Sequence, residues 1–123
     1  MRIEISNGEL LDRISILEIK KLNMEDPENL ANVEKQFQIL NPGVVDLFTK
    51  NGKEIKALFL ELSKVNRILW DLENRVRNKK LRDEDFIKAS KLIFEYNEVR
   101  NQLKNDVNII SGSKFKDIKE YRW

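Results

Sequence analysis

Histidine and cysteine are both absent from this chain of 123 residues. Without cysteine there is no disulfide, no thiolate nucleophile and no cysteine-built metal site. Without histidine, the commonest general base, the commonest metal ligand and the usual switch near neutral pH are missing. Together the two absences exclude Ser–His–Asp triads, zinc hydrolases and helical ribonucleases built on an Arg-x-x-x-x-His word. Proline (2) and glycine (4) are scarce, which leaves no room for a flexible linker. A chain of this length buries roughly two thirds of its unfolded surface, so one domain spanning residues 1–123 is expected. No apolar run approaches the roughly 18 residues of a membrane span. The opening Met1-Arg2-Ile3-Glu4-Ile5 is too short and too charged for a secretory signal, and a soluble, cytoplasmic protein is expected.

Charge is what the sequence has in quantity: 36% of the residues are charged, with a net charge of only +2. Interspersed signs at that density describe solvated helix faces rather than a polyanion-binding surface. The most basic segment, Arg75, Arg77, Lys79, Lys80 and Arg82, is followed at once by Asp83, Glu84 and Asp85. Cations ending one helix and acids opening the next complement the two helix dipoles. With no aromatic residues interleaved, the segment points to no nucleic-acid partner. Glu95 and Glu98, or Glu9 and Asp12, sit three apart on a helix, but a dimetal bundle site adds Glu-x-x-His. The denser E-E-x-x-E and E-x-x-D words of helical nucleotide pyrophosphohydrolases are missing too. Ser111-Gly112-Ser113 and Asn51-Gly52 are turn chemistry, and no phosphate loop is present. No catalytic residue, metal or cofactor is implied.

The apolar pattern gives the architecture. Met1, Ile3 and Ile5 alternate with charges, as in a short N-terminal strand or extended arm. Ser6 and Glu9 form a capping box that opens a first helix over residues 7–23. Its apolar residues, from Leu10 and Leu11 to Leu22, spread round most of the circumference, so several neighbours must bury it. Asp26-Pro27-Glu28 opens a second helix, with a seam of Leu30, Val33, Phe37 and Leu40 that Asn41-Pro42-Gly43 should end. Val44 to Lys50 carries no decisive pattern, and Asn51-Gly52 breaks the chain. Ile55, Leu58, Leu62, Val65, Leu69, Leu72 and Val76 then mark one long amphipathic helix, ending between Asn78 and Arg82. Asp83 should cap a fourth, with a seam of Phe86, Ala89, Ile93, Tyr96, Leu103, Val107 and Ile110, closed by Ser111-Gly112-Ser113. The expected fold is an all-α bundle. A long antiparallel hairpin packs on the first helix, and the second lies alongside. Nothing decides the conformation of Lys114 to Trp123.

Polar residues interrupt that pattern at matching places. Steps of three and four along the fourth helix land on Arg100, which turns a guanidinium toward the core with Asn97 and Lys104 beside it. A buried cation without a partner would cost several kcal/mol, and arginine cannot escape by losing its proton. Asp12 and Glu18 fall inside the apolar arcs of the first helix and are the expected counter-charges. The long helix carries Asn66, Trp70, Glu73 and Arg77 beside its own seam, which the hairpin brings level with Asn97, Ile93 and Ser90. One buried polar cluster is therefore expected from Asp12, Glu18, Asn66, Trp70, Glu73, Arg77, Asn97, Arg100 and Lys104. Such a network sets register and partner choice in helical bundles. Alternatively, it holds a small anion between Arg and Lys, with Asn amides orienting it and Trp70 stacking.

Three words carry a family resemblance: Gly8-Glu9-Leu10-Leu11-Asp12-Arg13-Ile14-Ser15-Ile16-Leu17-Glu18-Ile19-Lys20; Val65-Asn66 through Leu69-Trp70 to Glu73 and Arg77; and Tyr96-Asn97 through Arg100 to Lys104 and Asn108 before Gly112-Ser113. They resemble a family of small bacterial and phage proteins known only as a domain of unknown function. That resemblance implies a compact helical protein and brings no activity with it. A weaker likeness is to the all-helical chorismate mutases, which open on a Glu-Leu-x-Asp-Arg-Ile helix. It would give Arg13, Lys20, Arg77 and Arg100 anion-binding roles, but that family's later glutamine or glutamate and paired arginines have no match here. The favoured reading is a non-enzymatic protein acting through self-association or a protein partner. Phe48, Phe59, Leu60, Ile68 and Trp123, off the main seams, are the expected interface. The runner-up is a binder, or an enzyme, for a small anionic molecule held in the polar cluster.

Overall fold

A computed structural model describes residues 4–113. It is all helical: α1 (Asn7–Asn23), α2 (Pro27–Val76) and α3 (Asp83–Ser111). The described residues contain no strand, and the expected N-terminal one falls partly on residues 1–3, outside the described set, as does the tail from Lys114. α1 has the bounds its pattern predicts, and the Ser6 hydroxyl accepts from the Glu9 amide at 3.1 Å, half of the expected capping box. Asp26 caps α2 by accepting from the Glu28 amide at 3.1 Å, with Pro27 in the first turn.

Pro42 does not end a helix. α2 runs on through it, and the non-helical residue is Asn51 (φ −128, ψ 18), where the axis kinks. The break signal at Asn41-Pro42-Gly43 is local, whereas the force that overrides it is tertiary. Val44 and Leu47, one turn beyond the proline, join Leu11, Ile14, Ile55, Leu62 and Val107 in the core. Extending the helix is what delivers them there. Phe48 and Phe59, expected at an interface, are partly buried and pack on this core, edge to face at 5.7 Å between centroids.

α2 and α3 form the expected antiparallel hairpin, since Ile55 meets Val107 in the core while Asn66 and Asn97 share one cleft. Its turn differs in detail. α2 stops at Val76, and Arg82, not Asp83, occupies the N-cap of α3 without a side-chain hydrogen bond. Two residues placed on the seam of α3 face outward instead: Phe86 is 47% exposed and Ile110 39%. At the far end Gly112 takes the left-handed conformation (φ 63). The Gly112 and Ser113 amides donate to the Ile109 and Asn108 carbonyls, a Schellman closure.

That end of α3 is fastened to the start of α1. The first amides of α1 have no partner within the helix, and α3 supplies them. Asn7 N–H donates to Ser113 Oγ at 3.1 Å, and Gly8 N–H donates to Asn108 Oδ1 at 2.7 Å. The Asn7 side-chain amide donates to Ser111 Oγ at 2.9 Å. The helices approach so closely that a Cβ at Gly8 would stand 2.2 Å from the Lys104 carbonyl oxygen. Gly8→Ala should therefore push two backbones apart and cost about 1–3 kcal/mol or more in urea unfolding. Gly52→Ala, with nothing within 4 Å of its Cβ, should be neutral or stabilise by up to about 1 kcal/mol.

Candidate functional site

Below that fastening, one carboxylate joins all three helices. Asp12 of α1 is 1% exposed. Arg100 of α3 donates from Nε to its Oδ1 at 2.8 Å and from Nη2 to its Oδ2, a two-pronged pair. Asn66 of α2 donates from Nδ2 to the same Oδ1 at 2.9 Å and also to Ser15 Oγ, whose own proton goes to the Asp12 carbonyl. The hydrogen bonds that Arg100 donates to Asp12 raise the Arg100 pKa against the opposing effect of burial, and the guanidinium stays charged. One turn further along α3, Lys104 pairs with Glu9 at 2.7 Å, the lysine side chain being only 13% exposed. Burial alone would raise the Glu9 pKa. The hydrogen bonds from Lys104 and Arg13 outweigh it and hold the carboxyl below its ordinary 4.5.

Arg100 is thus turned inward, as its place in the pattern requires, but its partners are fewer than the sequence suggested. Glu18 lies on the exposed side of α1 and takes no part. Glu73 forms no ion pair with Arg100, and Lys104 is engaged with Glu9 beside the Asp12 pair. Ser15 and Asn108, named in the family words but left out of the expected cluster, are also buried polar groups at the contact of α1 with its neighbours. Asn108 lies two helical steps of four beyond Arg100, and that spacing was the available signal.

The polar network is not sealed. A cleft of about 230 Å³ opens beside it, lined by Asn66, Trp70, Glu73, Asn74, Arg77, Asn97 and Arg100 over a floor of Ile16, Ile19 and Leu69. Six of the nine predicted cluster residues meet here, and Asp12 holds two of them, Asn66 and Arg100, from behind. Arg13 and Lys20, by contrast, line a separate recess with Gln36 and Ile39 between α1 and α2. The four cations that a chorismate-mutase likeness would need do not converge. No group of three or more carboxylates among the described residues could hold a metal ion, and no helix there is long and apolar enough to cross a membrane.

The chain belongs to a family of unknown function (DUF6165), whose model matches residues 1–122. No curated protein and no solved structure matches it.

Two outcomes follow from the geometry. Arg100→Ala leaves a carboxylate buried without its cation and should cost about 3–5 kcal/mol. Arg100→Lys keeps the charge but not the fork and should lose about 1–3 kcal/mol. Denaturant unfolding distinguishes them. The second outcome concerns pH. Because the Glu9 pKa is lowered on folding, its contribution is present above pH 4.5 and is lost as pH falls through the folded value. The stability gap between the natural chain and Glu9→Gln, from thermal melts, should be widest near neutral pH and narrow as pH falls below 4.5.

Proposed function

We propose that this protein is a non-enzymatic helical module that acts by self-association, through an outward row on α3. The observation that carries this reading is the exposure of two aromatic rings, Phe86 at 47% and Phe94 at 69%. They lie two steps of four apart on α3, with Ser90 between them. The order along α3 is ring, small residue, ring. A second copy turned end for end about Ser90 sets Phe86 beside Phe94, and the contact occurs twice. This is the self-complementarity that a two-fold interface needs. Ser90 is small enough to let the rows interlock, and Ile87, 53% exposed, widens the apolar strip. Leu60 and Ile68, expected at an interface, are exposed on α2, away from this row.

The magnitudes allow a weak dimer at most. Four rings, each roughly half exposed beforehand, contribute about 3–6 kcal/mol on burial. Association itself costs about 4–15 kcal/mol in lost freedom.

Analytical ultracentrifugation over a wide concentration range tests the reading. The natural chain should pass from monomer to dimer as concentration rises, and Phe94→Lys should stay monomeric with an unchanged melting temperature. Phe86→Lys should give the same result. A natural chain that is monomeric at every concentration contradicts the proposal.

A further inference from the structure

The cleft between the three helices has a charge pattern that self-association does not use. Glu73 and Arg77 stand four apart on α2 with the acid first, the best helical spacing for an ion pair. Both line the cleft, yet they form no salt bridge with each other or with any described residue. Arg100 commits Nε and Nη2 to Asp12, while its Nη1 makes only a 3.4 Å contact with Asn97 Oδ1 at the cleft wall. The Asp12 carboxylate cancels the Arg100 charge, so the cleft retains one open cation, Arg77, and one open anion, Glu73. Its net charge is close to zero, and its two signs are held apart on one wall.

That balance selects the ligand. A plain anion would gain Arg77 and be repelled by Glu73, and a plain cation would meet the reverse. A molecule with one carboxylate and one ammonium satisfies both. We propose that this cleft binds a small zwitterion of the amino-acid type. Arg77 and the Nη1 edge of Arg100 take the carboxylate, Glu73 takes the ammonium, and the side-chain amides of Asn66, Asn74 and Asn97 complete the polar wall. Trp70 and the floor of Ile16, Ile19 and Leu69 take whatever apolar part the molecule carries. The volume of about 230 Å³ lies below the roughly 300–1,000 Å³ typical of drug-sized sites, which suits a molecule of amino-acid size. The prediction of a purely anionic ligand from the arginines and lysine changes because Lys104 is committed to Glu9 and Glu73 faces the cleft.

The test is a titration followed by Trp70 fluorescence in the full chain carrying Trp123→Phe, which leaves one tryptophan. The probes are the twenty α-amino acids, β-alanine and 4-aminobutyrate. Each is paired at equal concentration with the carboxylic acid lacking the amine and the amine lacking the carboxylate. At least one zwitterion should give a saturable change that neither partner compound gives. Arg77→Gln and Glu73→Gln should each raise its dissociation constant about tenfold or more, without moving the melting temperature of the unliganded chain. Phe94→Lys should bind as the natural chain does, so a failure of dimerisation leaves this result untouched. The proposal is overturned if no zwitterion in the panel saturates, if a carboxylic acid binds as tightly as its amino acid, or if the two variants bind unchanged.

Discussion

A single buried carboxylate holds the three helices in register. Asp12 is 1% exposed, and a guanidinium from α3 and an amide from α2 reach its two oxygens. A pair of this kind is weak evidence for net stability, since removing two ions from water offsets most of what they gain on meeting. Its effect is on specificity. Sliding any helix by one turn leaves a carboxylate, a guanidinium or an amide buried with nothing opposite, and each such orphan costs kilocalories. Leucines and isoleucines along three amphipathic helices would tolerate several registers, whereas Asp12 tolerates one.

Around that point the contact of α1 with α3 runs as a polar seam. Gly8 meets Asn108, Glu9 meets Lys104 and Asp12 meets Arg100, so that α3 contributes every fourth residue. At one end the lack of a side chain at Gly8 brings the backbones together, and at the other the two-pronged pair closes the seam. The cleft opens just beyond the pair, where α2 turns Trp70, Glu73 and Arg77 toward the same space. A rigid network behind Arg100 fixes where its remaining N–H groups point, and binding sites gain from that kind of support.

Much of this arrangement was legible in the sequence, for a physical reason. A charged residue on an apolar seam is an energetic exception, and Arg100 and Asp12 were exceptions on two different helices. The stripe from Asn66 to Arg77 converged with Asn97 because helical periodicity and a short hairpin leave little freedom. Three features were not legible. Pro42 signals a helix end locally, and only the packing of Val44 and Leu47 shows why the helix continues. Glu18 and Phe86 sat at the margins of broad apolar arcs, where a shift of a few tens of degrees separates inside from outside. Gly8 gave no hint of its role, because a close approach belongs to two helices and neither sequence stretch shows it alone.

The central claim is that Asp12 and Arg100 act as one unit inside the bundle. A double-mutant cycle in denaturant unfolding, using Asp12→Asn, Arg100→Met and the two combined, measures that directly. The account predicts a coupling of about 2 kcal/mol or more, with the double variant regaining much of the stability lost by the worse single. Additive losses, with a coupling below about 0.5 kcal/mol, would contradict it.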